Sequence, residues 1–313
     1  MKIVFFGYHD FGVEALDSLI ETGDEIAAVI THRDDPDENR YFRSVADLAK
    51  RNGVPVEYRE DQEKGRLRRL LEETEADLIV SAYYRRMIPE ALLGLARHGG
   101  VNLHGSLLPK YRGRCPLNWA LIHDERETGL TLHRMVARAD AGEILGARAV
   151  AIEDRETAHT LAQKLVAEVK PLMAEVFPRL RRGDFAGVPQ VESEATTFGG
   201  RRPEDGRIDW SKTARQVDCL VRAVTRPYPG AFTEIDGRRL RVWSGHACST
   251  TGDARLPGRI LECERGRIKV QCGEGAYCIE DCEWWEAGGI STSVDWSALL
   301  PGRLLVAPAR AAE

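Results

Sequence analysis

The sequence predicts an α/β fold, a Rossmann-like parallel sheet domain followed by a small β-barrel domain. Strand-like and helix-like segments alternate through the first half of the chain, as successive strand and crossover-helix units require. From about Gly206 the chain changes to short segments punctuated by Gly and Pro, the pattern of a small barrel. A length of 313 residues suits two domains, placed at 1–203 and 204–300 with a peripheral tail at 301–313.

Each element has a local cause. KIVFFGY is a continuous apolar strand, Gly7 and Gly12 flank a loop, and VEALDSLIETG is an amphipathic helix closed by Gly23. EIAAVITH is a second strand, SVADLAKRNG a helix, VPVEY a strand and LRRLLEETEA a helix. DLIVSAYY reads as another buried strand before the helix PEALLGLARHG. The apolar run from Val101 to Leu107 is the next strand, and GLTLHRMV and EILGARAVAI are two more. TAHTLAQKLVAEVKPLMAEVFPRLRRG repeats its apolar positions at three and four and reads as one long helix, kinked or broken at Pro171. From about Gly206, IDW, VDCLVRAV, the turn RPYPGAF, GRRLRVWSG, PGRILEC, GRIKVQCG and AYCIEDCEWW supply the barrel.

Composition excludes several function classes. With 43% hydrophobic and 30% charged residues the chain is an ordinary globular protein, and no apolar run approaches a membrane span. Tyr8, His9 and Asp10 interrupt the N-terminal apolar run, so no signal peptide is expected and the expected location is cytoplasmic. Seven cysteines, an odd number, do not suggest a disulfide framework. Cys263, Cys272, Cys278 and Cys282 cluster, but their spacings of nine, six and four suit structural zinc poorly, and no metal is expected. A formal net charge of -5 argues against a nucleic-acid partner. A local basic patch from Arg85, Arg86, Lys110, Arg112, Arg114, Arg201 and Arg202 could still bind a diphosphate or a glutamate tail. GYHDFG lacks GxGxxG and GK[ST], so nicotinamide or P-loop chemistry has little support.

The chemistry-bearing stretch runs from Val101 to Gly142. Asn102 and His104 are two apart in a strand, so both side chains leave the same face. An uncharged amide can donate to a developing oxyanion, a donor whose removal elsewhere raises the barrier by about 2.7 to 4 kcal/mol. An imidazole can hold or release a proton as a leaving nitrogen departs. A tight turn at RADAG, with Gly142 permitting the bend, would bring Asp140 back to raise the imidazole pKa and fix its tautomer. Gly105, Ser106, Pro109, Gly113 and Pro116 shape a loop beside them that carries Lys110, Arg112 and Arg114.

The segment NLHGSLLPKYRGRCPLNWALIHDERETGLTLHRMVARADAG, with VFFGYHDFG, THRDDPDENRYFRSVADLA, SAYYRRMI, FGGRRPEDG and VRAVTRPYPGAF, resembles the 10-formyltetrahydrofolate-dependent formyltransferase family. The likeness extends over nearly the whole chain and is greatest to members acting on UDP-4-amino-4-deoxy-L-arabinose. It implies an OB-like second domain and a role in lipid A modification and polymyxin resistance. It also implies that Asn102 stabilises the transition state, His104 donates a proton and Asp140 raises the pKa of that histidine. The implied folate contacts are Arg86, Met87, Ile88, Arg114, Val136, Ala137, Arg138, Ala139 and Asp140. Ser106, Lys110 and Arg112 are the candidates for the acceptor. Cys115 replaces the family's small Ala, an apolar exchange and not a nucleophile. Members that formylate methionyl-tRNA share the catalytic motif, but the resemblance implies a basic insertion in them where this chain has Asp34, Asp35, Asp37 and Glu38.

Overall fold

The computed structural model describes residues 1–33, 41–61, 65–249, 256–264, 266–285, 291–292, 294 and 299–305. The acidic segment at Asp34 to Glu38 and the end of the tail fall outside them. The chain divides into two compact units, one built from Met1–Pro116, Glu127–Ala151 and Ala162–Gly199, the other from Leu117–Arg126, Ile152–Leu161 and Gly200–Glu313. No single cut in the sequence separates them.

The elements in chain order are β1 (Lys2–Gly7), α1 (His9–Glu21), β2 (Glu25–Thr31), α2 (Val45–Arg51), β3 (Val56–Tyr58), α3 (Arg66–Thr74), β4 (Leu78–Ala82), α4 (Glu90–Leu93) and β5 (Gly100–His104). There follow β6 (Arg112–Gly113), α5 (Pro116–Ile122), β7 (Glu127–Arg134), β8 (Ile144–Ala151), α6 (Ala158–Ala167), α7 (Val169–Arg181) and β9 (Thr197–Phe198). The main sheet has the order β3-β2-β1-β4-β5-β7-β8. Its first five strands are parallel, as the alternation predicts, and β7 runs antiparallel to both of its neighbours, β5 and β8. The sheet is therefore mixed, because the connection between β7 and β8 is too short for a crossover of a dozen or more residues. Ile3 to Phe6 of β1 and Leu78 to Val80 of β4 have no exposed surface, as strands at the middle of such a sheet require.

Three helices differ from expectation for local reasons. α1 begins at His9 with Tyr8 extended before it, so GYHDFG is a strand-to-helix junction with almost no loop. Gly12 lies inside that helix, where a Cβ would come within 2.9 Å of Val45 Cγ2 and 3.2 Å of the Gly7 carbonyl carbon. PEALLGLARHG contains only the single turn α4. The long helix breaks at Glu168 and not at Pro171, which sits in the first turn of α7, where a missing N–H forfeits no helical bond.

In the second unit α8 (Ala214–Val224) is followed by β10 (Ala231–Ile235), β11 (Arg238–Cys248), β12 (Ile260–Glu264), β13 (Arg267–Gln271), β14 (Ala276–Trp285) and β15 (Ser291–Thr292). They form an antiparallel sheet in the order β10-β11-β14-β13-β12, with β15 on β14. VDCLVRAV is helical, within α8, and not a strand of the sheet. Thr213 Oγ1 accepts the Gln216 N–H and Gln216 Oε1 accepts the Thr213 N–H, a reciprocal cap that starts the helix. Among the described residues no helix is long and apolar enough to cross a membrane.

Candidate active site

Asn102 and His104 occupy the C-terminal end of β5 and share a face, and across the antiparallel ladder they stand opposite His133 and Thr131 of β7. The Asn102 amide nitrogen lies 3.2 Å from His133 Nε2. After β7 the chain turns through RADAG, and Asp140 Oδ1 comes to 3.7 Å from His104 Nδ1 and 3.4 Å from His133 Nε2. One carboxylate thus faces two imidazoles, with the Asn102 amide beside them. Thr131 supports the strand end by donating to the Ser106 carbonyl at 2.7 Å and accepting the Leu108 N–H at 3.1 Å.

Hydrogen bonding dictates the tautomers. His104 Nε2 lies 2.8 Å from the Tyr111 carbonyl, which can only accept, so the neutral ring carries its hydrogen there. Its lone pair is then on Nδ1, toward Asp140. His133 Nδ1 faces the Arg134 carbonyl at 2.8 Å, which leaves Nε2 between Asn102 and Asp140. In neutral His133 that nitrogen accepts from the amide, and in protonated His133 it donates to the carboxylate.

Burial alone would raise the Asp140 carboxyl, but the bond to His133, the two imidazoles' charges and the Gly113 N–H at 2.8 Å hold it well below the usual carboxylate range. His104 is 7% exposed, and burial pushes its pKa down against the upward pull of Asp140 and the Tyr111 carbonyl. Asp140 does raise this histidine relative to the same pocket without a carboxylate. Desolvation outweighs it, so the resting imidazole is neutral near pH 7.

The turn is held by residues outside the motif. Gln190 Nε2 donates to the carbonyls of Asp140 at 2.8 Å and Gly142 at 2.7 Å, while its Oε1 accepts from Arg112 Nε and Nη2 at 3.0 and 2.7 Å. Arg112, 1% exposed, also pairs with Glu192 at 2.7 Å. A Cβ on Gly142 would fall on the Arg134 carbonyl oxygen, so glycine is needed there for close approach. Asp140 itself has φ 54°, a left-handed conformation that Asp tolerates.

A cavity of about 370 Å³ opens beside these groups, walled by Tyr84 to Ile88 after β4, by Leu103 and Gly105, by Gly113 to Pro116, and by Met135, Val136 and Ala139. Of the expected folate contacts, Arg86, Met87, Ile88, Arg114, Val136, Ala139 and Asp140 line it. Ala137 and Arg138 do not, and Arg138 is instead paired with Glu192 at 2.7 Å. The acceptor candidates are placed elsewhere. Ser106 is 1% exposed and donates to the Lys110 carbonyl at 2.7 Å, the Arg112 guanidinium is spent on Gln190 and Glu192, and Lys110 is exposed away from the cavity lining. Arg85, Arg86 and Arg114 supply the cationic side of the cavity, while Arg201 and Arg202 belong to the other unit. Cys115 lines the cavity, and the seven cysteines are free thiols. Among the described residues no group of three or more His, Cys, Asp or Glu is arranged to hold a metal ion.

His133 and Gln190 are residues in contact with the site that sequence reasoning missed. GLTLHRMV places Thr131 and His133 on one strand face, but their meeting with His104 and Asn102 depends on an antiparallel register that the chain does not announce.

Residues 1–177 match the family model described as formyl transferase, and residues 201–289 match that described as formyl transferase, C-terminal domain. Among solved structures, the chain is similar to WlaRD, a sugar 3N-formyl transferase described with dTDP and 5-N-formyl-THF (17% identity, 90% of this chain and 97% of that chain covered, TM-score 0.69). It is also similar to an N-formyltransferase from Helicobacter canadensis described with folinic acid and dTDP-3-aminofucose (18% identity, 90% and 99% covered, TM-score 0.69). A third likeness is to HypX from Aquifex aeolicus in complex with tetrahydrofolic acid (20% identity, 93% and 46% covered, TM-score 0.64).

Proposed function

Because this chain belongs to the formyl transferase family, we propose that its cavity binds 10-formyltetrahydrofolate and that it formylates the amine of a nucleotide-linked 4-amino sugar, UDP-4-amino-4-deoxy-L-arabinose above others. The observation that carries this reading is the meeting of Asn102, His104 and Asp140 at one end of the cavity, with Asp140 3.7 Å from the imidazole. The lining fits a flat heteroaromatic ring with an anionic tail. Ile88, Leu103, Met135 and Val136 are apolar, and Arg85, Arg86 and Arg114 are cationic.

The geometry supports the following roles. The neutral sugar amine attacks the formyl carbon, and its nitrogen becomes positive while the formyl oxygen becomes negative. An Asn102 amide hydrogen stabilises that oxygen. The Nδ1 lone pair of His104 takes the proton from the attacking nitrogen and returns it to the departing folate nitrogen, so the C–N bond to folate breaks without expelling an anion. Asp140 stabilises the imidazolium between these two transfers. No covalent enzyme intermediate forms.

The test is to supply 10-formyltetrahydrofolate with UDP-4-amino-4-deoxy-L-arabinose, dTDP-linked amino sugars or charged initiator tRNA, and to identify the formylated product by mass spectrometry. Formylation of the UDP sugar is expected; failure with every amino sugar, or preference for tRNA, would overturn the reading. A second reading, a dTDP-linked 3-amino sugar as acceptor, is favoured by the ligands described for WlaRD and the Helicobacter canadensis enzyme.

A further inference from the structure

One buried histidine, paired with a more exposed glutamate, touches the cavity wall. His32, the residue after β2, is 6% exposed, with Nδ1 2.7 Å from Glu60 Oε1 and Nε2 3.3 Å from the backbone nitrogen of Arg85. Arg85 belongs to the segment after β4 that lines the cavity. A backbone N–H can only donate, so Nε2 must present its lone pair and Nδ1 must carry the hydrogen given to Glu60. The ring also stacks on Tyr84, with centroids 4.6 Å apart, and meets Tyr8 edge-on at 5.7 Å. Glu60 is fixed in turn, because its second oxygen accepts the Arg33 N–H at 3.0 Å. One imidazole therefore ties the end of β2 and the turn after β3 to the cavity wall after β4.

We infer that His32 is a positioning residue for the folate subsite, holding the Tyr84 to Ile88 wall through the Arg85 N–H only while its ring is neutral, so that folate binding weakens on acidification. The inference rests on the assignment of the cavity to folate. Protonation would place a second hydrogen on Nε2, facing the Arg85 N–H, and the wall must then move away. The charges around the ring have opposing effects. Burial disfavours the imidazolium, Glu60 favours it, and Arg85 and Arg86 on the wall disfavour it; Tyr84 and Tyr8 face the ring as neutral phenols. The net displacement of the His32 pKa is downward from 6.5. The held wall thus prefers the neutral ring, and the preference is fully present above 6.5 and lost as pH falls below it.

The experiment is calorimetric binding of 5-formyltetrahydrofolate to the full chain at about pH 7.5 and about pH 5.5, where an ordinary histidine changes charge. Wild type should bind about threefold or more weakly at the lower pH, within the reach of one buried hydrogen bond. His32→Ala should bind about five- to tenfold more weakly than wild type at the higher pH, with kcat at saturating folate nearly unchanged and KM raised. His32→Gln keeps an acceptor for the Arg85 N–H and cannot protonate, so it should bind within about twofold of wild type at the higher pH and lose the acid weakening. Unchanged affinity in His32→Ala, or undiminished acid weakening in His32→Gln, overturns the inference while leaving the folate assignment standing. Wild type that binds no folate at either pH overturns both.

Discussion

Replacing each polar group of the site should fail in its own way. Asn102→Ala removes a donor to the developing oxyanion and should lower kcat by about 100- to 1000-fold while folate KM changes little, as steady-state kinetics on a variant of unchanged circular dichroism would show. His104→Ala should lose turnover at least as severely, and near-normal rates would remove it from the mechanism. The pH profile adds a second measure. Proton uptake from the amine needs neutral His104, whose pKa burial holds below 6.5, so the enzyme's acid limb should lie below that value. Asp140 pulls the pKa upward, so Asp140→Asn should move the limb to still lower pH while reducing kcat; an upward move would refute the pairing. For folding, the depressed His104 contributes stability above 6.5 that is lost as pH falls below it, whereas the depressed Asp140 contributes above 3.8 and loses its effect only in strong acid. At this scale Asn102 and His104 were legible because residues two apart in a strand must share a face. Ser106 and Arg112 show what sequence leaves out: Ser106 is bonded within its own loop and the Arg112 guanidinium is held by Gln190 and Glu192, about eighty positions away.

The turn between β7 and β8 brings Asp140 to the strand end, and it is fastened from a distance in sequence. Gln190→Ala would release the carbonyls of Asp140 and Gly142 and leave the Arg112 guanidinium held by Glu192 alone. Turnover should fall by about 10- to 100-fold with a smaller change in KM, because misplacing a catalytic group by about an ångström is enough for such a loss. Kinetics indistinguishable from wild type would show that the turn holds itself. Gly142 and the RADAG bend could be anticipated from composition, but Gln190, nearly fifty positions later, carried no local signal. The parallel strands were legible as continuous apolar runs. The reversed direction of β7 was not, because alternation along a strand is the same whichever way its neighbour runs. α8 was misjudged inside a region of short strands, although Thr213 and Gln216 have the spacing of a reciprocal helix cap.

The two compact units are interleaved along the chain, with Leu117–Arg126 and Ile152–Leu161 belonging to the second unit. Inside that unit Asn118 Nδ2 donates to the Ala223 carbonyl at 2.7 Å and Arg222 Nη1 to the Glu156 carbonyl at 2.9 Å. A chain ended after Gly199 keeps these two excursions without the structure they complete. It should melt at a lower temperature than the full chain and bind more of an apolar dye; an equal melting midpoint would overturn this expectation. The change in pattern at about Gly206 points to two domains, but excursions of about ten residues are too short for any compositional signal. The interleaving also constrains recombination between relatives. A chimera with one crossover near position 200 would inherit the second unit's antiparallel sheet from one parent and that unit's two inserted segments from the other, so a faithful graft of the second unit must exchange three stretches of gene together.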